Sequence, residues 1–465
     1  MTTERRIWVD VTPLAGASAS AGPGAVPWRD RILVPATTAR HGVPADALRY
    51  RLLLWADALG LALFCVVGAR IVAWEDPARD LTGPGYVDWR WGRFHAGPAD
   101  RAADCDFVLT CAALVRAEAF RDRLRALGFV DARIDAEGNV LAFWGDGSRP
   151  LVVLSGHLDT VFPRGTDVAV RRDGPWFRGP GIGDDCRGLA VVLAVARAMR
   201  RFDLQPRGTV VFVGTVGEEG PGNLRGVRHL VDHELRGRID AFLSVDGAGW
   251  AITKDAVGSV RLRVRYRGPG GHSWSAFGMP NPIHALGRAI AAIAELQVPE
   301  RPRTTFNVGI VAGGTSVNSI AQEARAEIDL RSESPDTLTA LERRVRRLLE
   351  QARAAEQARW SGSGAPLELV VDTLGFRPAA RVPAEAPWVQ AAVAAARVVG
   401  GSSPPLRAGS TDANWPLHRG IPALTITGGG RGAGAHSESE TFEAIESHRG
   451  PQWALLLVAA LAGVR

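Results

Sequence analysis

"GTVVFVGTVGEEG", Gly208 to Gly220, decides how this chain is read. Its first half is an unbroken apolar run rich in β-branched residues. Such a run, with no alternation, fits a strand covered on both faces, as in a largely parallel sheet flanked by helices. The run then gives way to glycines around two adjacent carboxylates, Glu218 and Glu219. Neighbouring carboxylates repel, and burying either is costly without a partner.

Three more runs of the same kind lie elsewhere in the chain: "PLVVLS" (150–155), "AFLSVD" (241–246) and "PALTIT" (422–427). Turn residues bound each, and helical patterns such as "GLAVVLAVARAMRRF" (188–202) separate them. "RAEAFRDRLRALGF" (116–129) reads as a helix stopping at Gly128, and "ARIDAEGNVLAFWG" (132–145) as two short strands around a turn. The fold class is α/β with a mostly parallel sheet.

Between about 258 and 371 the rhythm changes. "SVRLRVRYRG" (259–268) alternates as a half-exposed strand does, and a helix pattern follows at 281–296. Two strands (304–314 and 322–332), a long helix (334–358) and a last strand (367–372) complete the order β-α-β-β-α-β, a ferredoxin-like α+β unit. The expected layout is an extension of unclear structure at 1–105, a catalytic domain in two parts (106–257 and 372–465) and an inserted domain at 258–371.

Composition sets outer bounds. The 465 residues are 46% apolar and 22% charged, as in an ordinary globular protein. The net charge of +6 is almost entirely arginine, with Lys254 the sole lysine, and it is scattered. The "RRVRR" cluster at 343–347 reads as a solvated helix face, so no nucleic-acid partner is expected. Cys65, Cys105, Cys111 and Cys186 lack CxxC spacing and read as reduced thiols. No signal-like segment opens the chain, and a cytoplasmic location is expected. Asp57 and Arg70 interrupt the apolar run 52–74, leaving less than the roughly 18 residues a membrane helix needs.

Chemistry-bearing residues gather where the apolar runs end. His157 and Asp159 stand in "SGHLDTVF", Asp184 and Asp185 in "GPGIGDDCRG", Asp246 closes "AFLSVD", and His436 lies in "GGGRGAGAHS". Open α/β sheets bind ligands beyond the carboxyl ends of their strands, so these loops should converge with the Glu218–Glu219 loop. That much charge in one place calls for cations, and imidazole with carboxylate suits zinc, cobalt or manganese. Singly, each residue has a plainer reading. A strand-end histidine can be structural, either aspartate can cap the following helix, and a Glu-Glu pair can be a solvated loop. His229 and His233 have zinc-helix spacing, but Leu230 stands where a glutamate is needed, and a surface helix is expected there.

Taken in order, "SGHLDTVF", "GPGIGDDCRG", "GTVGEEG", "LSVDG" and "GAGAHS" resemble the M20 metallopeptidase family, the carboxypeptidase G, peptidase T and aminoacylase group. "YRGPGGHSW" (266–274) and "GGTSVNSIAQEARAEIDLRS" (313–332) resemble that family's inserted dimerisation domain. The resemblance runs from about Val115 to the C-terminus. It implies a zinc-hydrolase catalytic domain with two Zn2+ per subunit, Co2+ or Mn2+ being possible substitutes. Asp184 would bridge the ions, His157 and Asp246 completing one site and Glu219 and His436 the other. Glu218 would be the general base, and Asp159 would orient His157. The Asp184–Asp185 peptide would be cis. His272 would reach a partner subunit's site and stabilise an oxyanion, which implies a homodimer. Asn318 and Arg331 would contact substrate, and "GSTDANW" (409–415) resembles a pocket loop carrying Asp412. One departure is that Cys186 and Arg187 stand where the family often has lysine, leaving open whether the thiol touches the site.

The resulting expectation is a hydrolase cleaving an amide bond in a small peptide or N-acyl amino acid. A deacetylase or amidase acting on a non-peptide amide is the second reading. A non-catalytic metal-binding protein is the third, and the presence of Glu218 counts against it.

Overall fold

The computed structural model describes residues 116–163, 166–400 and 402–464, and before residue 116 only short strands. Two compact units emerge, Met1–Val115 with Val161–Ala169, and Arg116–Thr160 with Val170–Arg465. In the first, the apolar run of 52–74 is taken up by strands Leu53–Asp57, Gly60–Val67 and Arg70–Trp74, paired antiparallel. No helix among the described residues is long and apolar enough to cross a membrane.

The second unit is built on an eight-stranded sheet. Its order is Leu406–Gly409, Ile252–Ala256, Ala423–Ile426, Ala241–Val245, Leu151–His157, Thr209–Thr215, Val140–Gly145, Arg133–Ile134. The four apolar runs form its centre and lie parallel to one another. Val140–Gly145 and Ile252–Ala256 flank that centre antiparallel. Every residue of Leu151–His157 and Thr209–Thr215 is buried, which is why those stretches lack polar alternation. Leu151, Val153, Val211, Val213 and Phe242 pack with Val227, Leu230 and Trp415. Phe212, between two of those positions and so turned to the other face, meets Phe129 edge-on at 5.4 Å. Helices Cys186–Arg201 and Arg449–Ala462 lie against the Leu151–His157 strand.

Between Gly258 and Arg377 a separate antiparallel sheet forms, in the order Thr304–Gly313, Glu323–Ser332, Gly258–Arg267, Glu368–Arg377. Helices Pro282–Ala294 and Pro335–Arg359 cover one face, capped by Asn281 and Ser334. Val260, Leu262, Val264 and Tyr266 point into that layer against Leu341, Val345 and Leu349. Arg343, Arg344 and Arg347 are exposed around buried Val345, the solvated face expected of that cluster. The last strand runs to Arg377, so the boundary drawn at 371 falls inside it.

This topology delivers the site. His157 is the final residue of its strand and pairs in register with Thr215, the final residue of the next. Glu218 and Glu219 begin just beyond Thr215, and Asp246 follows Val245. Because these strands are parallel, the residues share one sheet edge.

Candidate metal centre

Asp184 sits between two imidazoles. Its Oδ1 lies 2.9 Å from His157 Nε2 and its Oδ2 lies 3.1 Å from His436 Nε2. His436 Nε2 is also 3.1 Å from Glu219 Oε1. The ligand-capable atoms of His157, Asp184 and Asp246 lie within 4.8 Å of one another, and so do those of Asp184, Glu219 and His436. One carboxylate therefore belongs to two three-residue groups. A third grouping joins His157, Glu218 and Glu219. The five residues expected from sequence to hold metal are thus brought together.

The loops are fixed by their backbones. The Asp184–Asp185 peptide is cis, as expected. Asp185 is in none of the metal-capable groups: its Oδ1 accepts the N–H groups of Gly188 (2.9 Å) and Gly247 (3.2 Å), and its Oδ2 that of His157 (3.0 Å). It caps helix Cys186–Arg201 and ties it to the strand end at His157 and the loop at Gly247, so the capping reading holds for this member of the pair. A Cβ at Gly188 would stand 2.3 Å from both Asp185 oxygens, and only glycine leaves room for this packing. Gly217 adopts φ +71° directly before the glutamate pair, a backbone state that favours glycine.

Asp159 lies against His157, as expected: its backbone carbonyl is 3.1 Å from His157 Nδ1, and its carboxylate Oδ1 is 3.8 Å from the same nitrogen. The carboxylate also grips the neighbouring loop, accepting the N–H of Glu218 at 3.1 Å and of Glu219 at 2.8 Å. The carbonyl contact fixes the His157 tautomer and turns Nε2 toward Asp184.

Two residues without a sequence signal complete the frame. Glu440 is buried and accepts backbone N–H groups from Gly181 (2.7 Å), Gly183 (2.9 Å) and Asp184 (2.9 Å). It thereby ties the loop after His436 to the loop of the shared aspartate. Arg377, also buried, donates through Nη1 to Glu218 Oε1 at 3.0 Å and through Nη2 to the Glu218 carbonyl.

The remaining expected residues belong to none of the metal-capable groups. Asp412 is buried rather than lining an open pocket, with Oδ2 accepting the Thr215 hydroxyl and Oδ1 lacking a hydrogen-bond partner. Burial, then the nearby Glu218, pushes its carboxyl up to about 7. His272 and Asn318 are neighbours on the inserted domain, both exposed, with Ser273 N–H donating to the Asn318 carbonyl at 2.9 Å. Among the described residues, neither hydrogen-bonds to the carboxylate cluster. Arg331 donates to Asp329 of its own strand at 2.7 Å. Cys186 is exposed, receives Arg116 Nη2 at 3.0 Å, and is in none of the metal-capable groups. Asp135, His229 and Glu234 form a further group, but three backbone N–H donors and the Asn139 amide already engage the Asp135 carboxylate.

The electrostatics fit cations. Glu219 Oε1 is buried with only the His436 imidazole nitrogen near it and no well-formed hydrogen bond, an expensive state for an anion. Burial first, with Asp184 and Glu218 adding repulsion, pushes the Glu219 carboxyl up to about 8. Burial and neighbouring carboxylates drive Asp246 well above its ordinary range as well. Burial opposes charging His157, yet Asp184 and the other surrounding carboxylates outweigh it and hold the imidazole well above its usual value. The site thus draws positive charge, and its nitrogen and oxygen donors suit zinc-type ions.

A sequence model of peptidase family M20/M25/M40 matches residues 153–457. Over 247 residues the chain is 31% identical to a succinyl-diaminopimelate desuccinylase of Paracoccus denitrificans, a match covering 48% of this chain and 64% of that protein, less than two thirds. A Burkholderia mallei protein of the same name is 30% identical over 270 residues, covering 53% and 70%. Among solved structures, a Staphylococcus aureus tripeptidase superposes with TM-score 0.60 at 21% identity, over 77% of this chain and 98% of that one. Aminopeptidase PepT of Bacillus cereus gives TM-score 0.59 at 20% identity, over 74% and 92%. At those identities the two structures speak for the fold.

Proposed function

The chain belongs to peptidase family M20/M25/M40, and from that premise we propose that it is a two-metal hydrolase of amide bonds in small peptides or N-acyl amino acids. The observation that carries this reading is Asp184, whose two oxygens face His157 and His436 and belong to two separate metal-capable groups. His157, Asp184 and Asp246 would hold one Zn2+, and Asp184, Glu219 and His436 the other. Bound cations supply Lewis acidity, polarising the scissile carbonyl and making water a better acid.

The protein's own groups do the rest. Glu218 is the general base: it takes a proton from the attacking water and returns it to the leaving amide nitrogen. Its place beside Glu219 sets its distance from the metals. Asp159 holds both glutamates by their N–H groups and makes no hydrogen bond to either side chain. The relatives bear the names of a desuccinylase and a tripeptidase, which keeps N-acyl amino acids and short peptides together in the substrate class.

His272 and Asn318 lie on the inserted domain, away from the cluster of their own chain. In this reading they complete the site of a second subunit in a homodimer, where His272 stabilises the oxyanion. Exposed Trp274 (86%) and Val317 (103%) beside them support such a contact. Glu218→Ala tests the reading. The variant should keep its metal and lose turnover on a panel of dipeptides, tripeptides and N-acyl amino acids, and unchanged turnover would remove Glu218 as the base.

A further inference from the structure

We propose that Arg377 is a positioning residue for Glu218, through which the last strand of the inserted domain sets the geometry of the base. This rests on the assignment of Glu218 as base in the preceding reading.

The observation is a clamp between two distant segments. Arg377 ends strand Glu368–Arg377, where the chain leaves the inserted domain. Its guanidinium reaches Glu218 twice, at Oε1 (3.0 Å) and at the backbone carbonyl, and Nη1 also reaches Ser410 Oγ at 3.1 Å. Both members of the pair are buried, Arg377 at 6% exposure and Glu218 at 5%. The same strand end is held beside it: Asn223 Oδ1 accepts the Phe376 N–H at 2.9 Å, and Arg228 donates to the Phe376 carbonyl. Arg261, on the adjacent strand of the inserted sheet, donates to the Gly220 carbonyl at 2.6 Å. The loop carrying Glu218 is therefore bound to the inserted domain at several points within a few residues.

A carboxylate that must accept and return a proton needs a fixed direction. The planar fork of Arg377 fixes both the side chain and the carbonyl of the same residue, which a flexible ammonium does not do. The guanidinium hydrogen-bonds to none of the five residues assigned to the two ions; of the metal-capable groups it meets only the one that contains Glu218. Its loss should therefore spare metal binding and substrate affinity while loosening the base. Partners that orient a working group typically contribute about 10- to 100-fold in activity.

The test uses the full chain loaded with zinc and the best-turned-over member of a panel of dipeptides, tripeptides and N-acetyl or N-succinyl amino acids. Arg377→Gln should lower kcat about 10- to 100-fold, leave KM within about 2-fold and keep the wild-type zinc content. Arg377→Lys, which restores charge without the fork, should fall between the two. A folded Arg377→Gln protein with wild-type kcat overturns the proposal, and so does one that loses zinc or changes only KM. If Arg377→Gln does not fold, Arg377→Lys decides: a lowered kcat at unchanged KM and zinc content supports the role, and wild-type kcat overturns it. Glu218→Ala measured alongside separates the two claims. If it stays active, the assignment of the base fails. If it is inactive while Arg377→Gln matches wild type, only the positioning role fails.

Discussion

Asp159 holds Glu219 by its main chain, Oδ2 accepting the N–H at 2.8 Å. The same carboxylate takes the Glu218 N–H at 3.1 Å through Oδ1. One half-buried carboxylate thus aligns two adjacent glutamates through their main chain. Asp159→Asn keeps the shape but turns one acceptor into a donor facing a donor. It should lower kcat about 10- to 100-fold with metal content intact, measured by steady-state kinetics and metal analysis. Unchanged kcat would show that the loop holds itself.

Glu440 makes a similar tie to the shared aspartate, receiving three backbone N–H groups from Gly181, Gly183 and Asp184. Glu440→Ala orphans buried donors, each worth about 1–3 kcal/mol. Urea unfolding should show a loss of at least about 2 kcal/mol. Zinc affinity, read by competition with a chromogenic chelator, should weaken about 10- to 100-fold because the Asp184 loop is freed.

Two glycines offer a matched pair. A Cβ on Gly188 would meet Asp185 and the Val245 carbonyl at 2.3 Å, whereas one on Gly287, in helix Pro282–Ala294, meets nothing within 4 Å. Gly188→Ala should destabilise by about 1–3 kcal/mol or more and impair metal binding. Gly287→Ala should stabilise by up to about 1 kcal/mol. Thermal melts of the two variants compare them directly.

In the absence of cations, burial and then its acidic neighbours raise the Glu219 carboxyl from 4.5 to about 8. The folded chain therefore holds this proton more tightly than the unfolded chain does. As pH rises above about 4.5 the unfolded chain ionises first, and this contribution to stability is lost progressively until about pH 8. Urea midpoints in EDTA should fall between about pH 5 and about pH 8, and fall less in Glu219→Gln. Zinc displaces the proton, so its affinity should rise over the same window.

Much of this was legible in the chain. The buried runs announced a parallel sheet because a strand covered on both faces has no room for polar alternation, as in Thr209–Thr215. The inserted domain was equally plain, since Gly258–Arg267 alternates apolar with arginine. Ligand candidates stood at strand ends, where topology makes them converge. What stayed hidden were long-range polar ties. Glu440 and Arg377 sit in text with no motif, and their partners are backbone groups or residues far away in sequence. The division of labour within Asp159, carbonyl to His157 and carboxylate to the glutamate loop, depends on loop geometry that spacing does not encode. Asp412 was expected to contact substrate because its stretch resembles a pocket loop, but the fold turns its side chain inward to Thr215.

The central claim is one carboxylate serving two cations, and metal stoichiometry by mass spectrometry of purified variants tests it most directly. Wild type should carry about two zinc equivalents per chain. His157→Ala and His436→Ala should each retain about one, and Asp184→Ala should retain none at the same free zinc. A wild-type chain that saturates with one ion, or an Asp184→Ala chain that still binds two, would contradict it.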